Sequence, residues 1–187
     1  QGGMSMSLQG RIALVTGSGR GVGRGIALAL AQDGADVAVN YRRDEDAALE
    51  VVAEIEKLGR RAFAYQASVD DYDQDAEMVA RIEADLGPVG ILVNNAGIAS
   101  RGQSVVDTEP AELMRLVATH AFGPHYLARL TIPKMRTLGR GDIIMISSVA
   151  TRSLGPFGAP YNMGKTAMEA LAFTLAKEER PYGIRVN

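Results

Sequence analysis

The sequence predicts an α/β fold, a doubly wound parallel sheet with helices on both faces. Three observations support this prediction: short apolar runs alternate with helical stripes, a glycine-rich turn follows the first apolar run, and the length suits one domain. The chain has 187 residues and is 47% hydrophobic, so it can bury a substantial core. Strands that alternate with helices are joined by right-handed crossovers, which makes the sheet parallel.

Each predicted strand is a short apolar run, as expected for strands that are buried on both faces. The six predicted strands are residues 11–16, 36–40, 61–66, 90–93, 141–147 and 184–186. Apolar residues recur at helical spacing in the segments between the strands. These segments predict helices from the glycine turn to Gly34 and over residues 44–58, 70–86, 110–138 and 159–181. The fourth of these contains Pro124, and a proline removes one helical hydrogen bond, so a kink is expected there.

The composition narrows the functional classes. The absence of cysteine excludes disulfides and thiolate metal sites and fits a reducing compartment, so we expect a cytoplasmic protein. The two histidines, His120 and His125, are too few for a multi-histidine site, and we expect no metal. The net charge is −2, and charged residues of both signs are interspersed along the chain. No apolar run reaches the ~20 residues that span a bilayer. We therefore expect a small-molecule partner, and neither nucleic acid nor a membrane.

Tyr161 and Lys165 are four residues apart, so they share one face if this segment opens a helix. A neighbouring ammonium favours phenolate over phenol, which makes Tyr161 a candidate proton donor or acceptor. Ser148 ends the apolar run of the fifth strand, where a hydroxyl faces the crevice that binds ligands in open α/β sheets. The alternative is a chance spacing on a helix whose tyrosine is half buried and whose lysine is solvated.

Gly17, Gly19, Gly21 and Gly23 lie between the first predicted strand and the first predicted helix. Glycines allow the backbone to turn tightly and to approach a pyrophosphate, which then faces the N-terminus of the helix. The turn therefore predicts a Rossmann-type, dinucleotide-binding domain, although its spacing departs from G-x-G-x-x-G. A glycine-rich turn that binds nothing is the alternative.

Residues 1–3 look like a protease-cleavage remnant, and we expect residues 4–187 to form a single domain.

Four motifs together resemble those of the short-chain dehydrogenase/reductase family. They are TGxxxGxG over residues 16–23, NNAG over 94–97, the strand-end serine at 148 and YxxxK over 161–165. Tyr161 follows Ser148 by 13 residues, which is the family's usual offset. The resemblance runs from about Gly10 to the last residue, and within the family the chain looks most like the 3-oxoacyl-acyl-carrier-protein reductases. It implies an oxidoreductase that uses a nicotinamide cofactor.

The resemblance implies a role for each matching residue. Tyr161 would protonate the substrate carbonyl oxygen, and Ser148 would hydrogen-bond that oxygen. Lys165 would favour release of the Tyr161 proton and hold the nicotinamide ribose. The residues that it assigns to the cofactor are Gly17, Ser18, Gly19, Arg20, Gly21, Val22, Gly23, Tyr41, Arg42, Ser68, Val69, Asn95, Ala96, Gly97, Tyr161 and Lys165.

Charge at the end of the second strand indicates which nicotinamide cofactor is used. An acidic residue there bonds a ribose 2′-hydroxyl, whereas an arginine attracts a 2′-phosphate. Tyr41 stands where NAD-preferring family members carry the acid, Arg42 follows it, and Arg20 precedes Gly21. We therefore expect NADP(H). The alternative is that Arg42 and Arg43 are ordinary solvated charges.

Two residues depart from the family pattern. Ser68 replaces the usual aspartate before Val69, and it can bond the adenine amine only without charge assistance, so weaker cofactor binding is expected. His120 replaces the family asparagine whose main-chain carbonyl holds a water that links the lysine to solvent. Pro124 lacks the N–H that would bond that carbonyl, so the relay is expected to survive through the backbone of His120. The imidazole either takes part as a titratable group or has no role.

The sequence stops at Asn187, where the family continues through a turn, a substrate-covering lid and a final strand. We therefore expect a domain that is truncated relative to the family, with the C-terminal part missing. The expected function is reduction of a ketone, 3-oxoacyl or other, by NADPH with Tyr161 as general acid. The alternatives are an NAD-dependent alcohol dehydrogenase and a non-catalytic nucleotide-binding protein. By analogy with the family we expect a homo-oligomer, either a homotetramer or a dimer.

Overall fold

A computed structural model describes residues 7–187 of the chain. The expected cleavage remnant at residues 1–3 lies outside the described residues.

The described residues form a six-stranded sheet in the order β3-β2-β1-β4-β5-β6, and every pairing in it is parallel. The strands are β1 (Ile12–Val15), β2 (Asp36–Tyr41), β3 (Ala62–Gln66), β4 (Ile91–Asn94), β5 (Gly141–Met145) and β6 (Ile184–Val186). The strand order reverses between β1 and β4, and doubly wound folds bind ligands outside the carboxyl ends of the strands at such a point. The predicted fold class is confirmed.

Helices connect the strands. In the described part of the chain they are α1 (Gly21–Gln32), α2 (Glu45–Lys57), α3 (Tyr72–Asp85), α4 (Pro110–Val117), α5 (Gly123–Met135), α6 (Ala150–Ser153) and α7 (Ala159–Glu179). Asp44 and Asp71 are the N-caps of α2 and α3, because the carboxylate of each accepts a hydrogen bond from a backbone N–H in the first turn. These caps fix the starts of the two helices that follow β2 and β3.

Two apolar cores cover the two faces of the sheet. Ala27 of α1 and Val51 of α2 belong to one core, and Leu127 of α5 and Met168 of α7 belong to the other. Successive residues of β1 alternate between the two cores, because side chains alternate along a strand. Helices therefore hold the sheet from both sides and leave its carboxyl edge free to carry a site.

The long predicted helix that contains Pro124 is not regular. Between α4 and α5 the backbone forms a π-helical turn over Ala118–Phe122, in which the N–H of Gly123 bonds to the carbonyl of Ala118. Pro124 has no N–H, so the regular hydrogen-bond pattern cannot continue through this point. His120 lies in the middle of the π turn.

The other predicted elements match the structure to within two residues at each end. The sequence did not predict α6, because four residues are too few to show the apolar periodicity of a helix.

Candidate active site

A cleft of about 1000 Å³ opens at the carboxyl ends of β1 to β5, beside the point where the strand order reverses. This volume lies at the upper end of the range for small-molecule sites. The predicted site residues that line the cleft are Gly17, Gly19, Arg20, Tyr41, Arg42, Ser68, Val69, Asn95, Ala96, Gly97, His120, Tyr161 and Lys165. The other predicted residues, which follow β1 or β5 but are not part of the lining, are Ser18, Gly21, Val22, Gly23 and Ser148.

The turn after β1 has a backbone that requires glycine. Gly17 and Gly21 have φ angles of 59° and 57°, a left-handed conformation that other residues rarely adopt. A Cβ on Gly23 would clash with the carbonyl oxygen of Gly17. Ser18 is fully buried, and its hydroxyl donates to the carbonyl oxygen of Val15 at 2.7 Å. Its N–H donates to the carbonyl oxygen of Asn40 at 3.0 Å, so Ser18 holds the turn with both its side chain and its N–H.

The segment after β4 is fastened to this turn. The hydroxyl oxygen of Thr16 accepts hydrogen bonds from the backbone N–H groups of Asn95 and Ala96, both at 2.9 Å. The side-chain amide of Asn95 donates to the carbonyl oxygens of Thr16 and Gly17 at 3.1 and 3.2 Å. Two walls of the cleft are therefore held at a fixed separation.

Asn40 of β2 ties the glycine turn to the neighbouring strands. Its side-chain oxygen accepts from the N–H of Gly17 at 3.0 Å, and its amide donates to the carbonyl oxygens of Tyr65 and Ala67 at 3.2 and 3.3 Å. Sequence patterns did not single out Asn40. The available signal was one polar residue inside a buried apolar strand, because such a residue needs partners.

Charged side chains surround the end of β2. Arg42 and Arg43 are exposed and line the cleft. Arg20, from the glycine turn, pairs with Asp44 at 2.8 Å, with 75% and 49% of the two side chains exposed. Three arginines therefore surround this end of the cleft, and one of them has a carboxylate partner. Sequence patterns did not identify Asp44, because a contact between residues 24 positions apart has no local signal.

Ser68 follows β3 at the same end of the cleft. Its N–H donates to the side-chain oxygen of Gln74 at 2.9 Å, and its hydroxyl donates to the carboxylate of Asp70. Asp70 also lines the cleft. The wall therefore carries a carboxylate two residues beyond the position where the family pattern has one.

The two serines after β5 have different partners. Ser147 donates its hydroxyl hydrogen to Glu169 at 2.7 Å, and Thr151 donates to the same carboxylate oxygen at 2.9 Å. These two hydrogen bonds hold the pKa of Glu169 below its ordinary value. The hydroxyl oxygen of Ser148 accepts from the N–H of Ala150 at 3.1 Å, a contact that does not use the hydroxyl hydrogen. Of the two, Ser148 is the serine whose hydrogen can be donated to a ligand.

Tyr161 and Lys165 lie in the first two turns of α7, and both line the cleft. Lys165 is only 4% exposed, and its ammonium donates to the carbonyl oxygen of Ile146 at 2.6 Å. Burial lowers the pKa of Lys165 to about 8, so the side chain is still mostly protonated at neutral pH. Its Nζ lies 6.0 Å from the centre of the Tyr161 ring. The alternative of a solvated lysine is therefore wrong.

His120 is 1% exposed and packs against the same helix. Its ring meets that of Tyr161 edge to face, with the ring centres 5.1 Å apart. Its Nε2 lies 2.9 Å from the carbonyl oxygen and 3.2 Å from the amide nitrogen of Ile98. Burial lowers the pKa of His120, a hydrogen bond with Ile98 opposes this change, and the Lys165 cation lowers the pKa further. A neutral imidazole therefore contacts the tyrosine.

Comparison with known proteins agrees with this architecture. The family model described as short chain dehydrogenase matches residues 11–187. The chain belongs to the short-chain dehydrogenase family. The resemblance drawn from the four motifs is thereby confirmed, and the chain is an oxidoreductase of this family.

Two curated relatives are similar over most of the chain. The uncharacterized oxidoreductase YgfF of Escherichia coli (strain K12) is 39% identical over 181 residues, which cover 94% of this chain and 73% of the relative. The 3-oxoacyl-(acyl-carrier-protein) reductase FabG of Staphylococcus epidermidis (strain ATCC 12228 / FDA PCI 1200) is 37% identical over 175 residues, which cover 94% of this chain and 71% of the relative.

Two solved structures have the same fold. A metagenomic short-chain oxidoreductase in complex with NADP superimposes with a TM-score of 0.92 at 34% identity, covering 97% of this chain and 81% of that one. Carveol dehydrogenase from Mycobacterium avium in complex with NAD gives a TM-score of 0.91 at 26% identity, covering 96% of this chain and 69% of that one. Similar proteins therefore bind either cofactor.

Two further features of residues 7–187 bear on function. No group of three or more His, Cys, Asp or Glu side chains in this part of the chain is arranged to hold a metal ion. Within the same residues, no helix combines the length and the apolar character needed to cross a membrane.

Proposed function

We propose that the protein reduces a ketone, 3-oxoacyl or another carbonyl compound, with NADPH as hydride donor and Tyr161 as general acid. The observation that carries this proposal is the buried ammonium of Lys165 beside Tyr161, on the wall of a cleft that also contains the glycine turn. A cation in this position stabilises the phenolate that remains after Tyr161 releases its proton. The FabG relative is consistent with a 3-oxoacyl thioester as substrate.

The cleft fits a nicotinamide dinucleotide. A Cβ on Gly17 would crowd Ala96 and one on Gly23 would clash with the carbonyl oxygen of Gly17, so the tight turn requires glycine at both positions. No side chain caps the N-terminus of α1, so the N–H groups of Gly21, Val22 and Gly23 are free for a pyrophosphate. The remaining contacts would come from the residues already assigned to the cofactor after β2, β3 and β4. When bound, the reduced cofactor supplies the hydride.

Tyr161, Ser148 and Lys165 would have different roles in the proton transfer. Tyr161 would donate its hydroxyl proton to the carbonyl oxygen of the substrate as that oxygen gains negative charge. Ser148 would donate a hydrogen bond to the same oxygen, because its contact with Ala150 leaves the hydroxyl hydrogen available. Lys165 would restore the tyrosine proton from solvent and hold the nicotinamide ribose.

The route from Lys165 to solvent would pass the backbone of His120. Pro124 has no N–H to donate to the carbonyl oxygen of His120, and the π turn around this residue interrupts the regular helical hydrogen bonds. That oxygen can therefore hold a water beside the buried ammonium of Lys165. Proton transfer through one water is within the reach of such a relay.

The arginines favour NADP(H). Arg20, Arg42 and Arg43 surround the end of β2, where a ribose 2′-phosphate would add charge that guanidinium groups bind in a bidentate manner. The neighbour in complex with NADP supports this preference. Asp70 compensates in part for the serine at position 68, because its carboxylate can accept from the adenine amine.

A second candidate is an NAD-dependent alcohol dehydrogenase. The ion pair between Asp44 and Arg20 favours it, because the pair reduces the positive charge at the end of β2 and offers a carboxylate to a ribose hydroxyl. The neighbour in complex with NAD is consistent with this reading. The two candidates differ in the cofactor that they select.

We further propose that the protein is a homo-oligomer. Phe122 of the π turn and Met163 and Phe173 of α7, against which the π turn packs, are 41%, 53% and 70% exposed, so large apolar side chains of both elements face solvent. A second copy of the chain would remove this surface from water.

Oxidation of NADPH and of NADH by the purified protein, measured separately with a panel of ketones that includes a 3-oxoacyl thioester, tests the proposed function. We expect kcat/KM with NADPH to exceed that with NADH by about 10-fold or more, because the arginine cluster contacts only the 2′-phosphate. A preference for NADH, with oxidation of alcohols by NAD, would replace this proposal by the second candidate. Measurable NADPH binding without turnover of any ketone would favour a non-catalytic protein.

A further inference from the structure

The imidazole of His120 occupies a slot that two glycines leave open. A Cβ on Gly97 would lie 2.8 Å from Cε1 of the ring, and a Cβ on Gly164 would lie 3.0 Å from Cβ of His120. Gly97 belongs to the loop after β4, and Gly164 belongs to α7 between Tyr161 and Lys165. The ring therefore fills the space between the cofactor-side loop and the helix that carries the tyrosine.

The hydrogen bonds of the ring distinguish its two neutral forms. With the proton on Nε2, the ring donates to the carbonyl oxygen of Ile98 at 2.9 Å, and Nδ1 is a buried acceptor without a partner. In this form the N–H of Ile98, which belongs to a half-buried residue, loses Nε2 as its acceptor. With the proton on Nδ1, the ring accepts from the N–H of Ile98 at 3.2 Å, and a buried N–H donor is left without a partner. Buried donors without partners are rarer than buried acceptors without partners. The shorter contact and this cost both favour the proton on Nε2.

The groups that face the ring disfavour its charged form. Lys165 of α7 places an ammonium near the ring, and Tyr161 of the same helix is uncharged when it acts as a proton donor. The loop after β4 offers only the backbone of Ile98. The π turn that carries His120 contributes no acidic side chain. A second cation would therefore be buried without a counter-ion, which is unfavourable.

We propose that His120 is a positioning residue, a neutral imidazole that donates from Nε2 to the carbonyl of Ile98 and so fixes the Gly97-Ile98 loop to the π turn, while its ring packs against that of Tyr161. The kinetic consequence of this role rests on the proposed reductase function, whereas the tautomer and the hydrogen bond do not.

Nitrogen NMR of the protein labelled with ¹⁵N-histidine tests the tautomer directly. The chain contains only two histidines, and a His125→Gln variant assigns the signals, because it removes one of the two. We expect His120 to show a protonated Nε2 and an unprotonated Nδ1, with no change as pH falls through about 6.5, the reference value for an exposed histidine. A proton on Nδ1, or titration near that reference pH, would overturn the proposal.

A matched pair of variants tests the positioning role. In His120→Gln the side-chain amide can place an N–H donor where Nε2 lies, whereas the shorter amide of His120→Asn reaches only as far as Nδ1. We expect kcat of the Gln variant to exceed that of the Asn variant by about 10-fold or more, because a misplacement of about 1 Å can lower the rate by up to about 100-fold. Equal kcat values in the two variants would contradict the positioning role of His120.

Fluorescence titration with NADPH and thermal unfolding of both variants separate the possible failures. Variants that fold and bind NADPH, but differ in kcat as expected, support the proposal. A wild-type protein that shows the expected tautomer but turns over no ketone would refute the reductase function and leave the hydrogen bond to Ile98 established. A destabilised Asn variant with a normal Gln variant would still report on the Ile98 contact, because only the reach of the amide differs.

Discussion

The two ends of the cleft are built from opposite kinds of side chain. At the end of β2 the charges are exposed, as in the pair of Arg20 and Asp44, whose side chains are 75% and 49% accessible to solvent. Around α7 the polar groups are buried, with His120 and Lys165 only 1% and 4% exposed. Water screens the first set and is excluded from the second.

This difference predicts how each end responds to change. An exposed ion pair is worth about 1 kcal/mol or less, so cofactor preference can be altered in small steps by single substitutions. Buried groups interact in a medium of low dielectric constant, where the loss of one charge changes the chemistry by a large factor. We therefore expect substitutions around α7 to change kcat and those around β2 to change cofactor affinity.

Replacement of Lys165 by Met is expected to have the largest effect, a fall in kcat of at least about 100-fold, because the charge that stabilises the phenolate of Tyr161 is lost. The wild-type rate should decline as pH rises through about 8, where the buried ammonium loses its proton. Steady-state rates between pH 6 and 10 check both expectations. An arginine at this position stays charged throughout, so an alkaline decline near pH 8 in Lys165→Arg would contradict the assignment to Lys165.

Replacement of Asp75 by Asn is expected to change stability without changing catalysis. Asp75 in α3 is fully buried, and among the described residues neither oxygen of its carboxylate has a hydrogen-bond partner. Burial, with the nearby Asp70 and Asp71, raises the pKa of Asp75 to about 8. The folded state therefore binds more protons than the unfolded state between pH ~4 and ~8, and stability falls as pH rises through this window.

Asp75→Asn removes that ionisation, so between pH 5 and pH 8.5 we expect the variant to gain about 4 kcal/mol of stability relative to wild type, about 10 °C in Tm. At pH 5 the two proteins should differ much less, because the folded wild-type carboxyl is protonated there and only the unfolded chain is ionised. Calorimetry at both pH values checks this difference. A constant offset in Tm across the pH range would mean that Asp75 does not titrate in the folded protein.

Replacement of Arg42 by Ala tests the exposed end of the cleft, at the end of β2. We expect KM for NADPH to rise by about 10-fold while kcat at saturation and KM for NADH change little, because the guanidinium would contact only the 2′-phosphate. The measurement is a set of steady-state rates with both cofactors. Arg24, which is paired with Glu54 on α2, offers a matched control, since Arg24→Ala removes an exposed arginine outside the cleft lining.

Replacement of Asp44 by Asn is expected to have the smallest effect. The variant frees Arg20 from its ion pair and keeps a side-chain oxygen that can cap α2, so NADPH should bind about 3-fold more tightly, and this gain should shrink at high salt. Fluorescence titrations at low and high ionic strength check the prediction. Weaker NADPH binding in this variant would indicate that Asp44 contacts the ribose directly, as the NAD-dependent alternative requires.

Features that depend on local pattern were predictable from the sequence. The glycine turn, the alternation of strands and helices, and the common face of Tyr161 and Lys165 each follow from a spacing within a short segment. The doubly wound fold follows from these features because parallel connections have one preferred hand.

Features that depend on contacts between distant segments could not be predicted. The ion pair of Arg20 with Asp44 and the hydrogen bonds of Asn40 join residues on different elements. Burial of Lys165 depends on how α7 packs against the end of β5, so the spacing of Tyr161 and Lys165 alone could not exclude a solvated lysine. Pro124 predicted a kink, but not that the backbone would widen into a π turn that carries His120.

Binding and turnover measured together in Tyr161→Phe test most directly the division of the cleft into a catalytic end and a binding end. We predict that the variant binds NADPH with a Kd within about 3-fold of wild type, while reduction of the best ketone falls by at least about 1000-fold, since the proton donor is lost and the ring is kept. A variant that retains more than about a tenth of the wild-type kcat would contradict the role of Tyr161 as general acid. A variant that loses NADPH binding and turnover together would contradict the separation of the two ends.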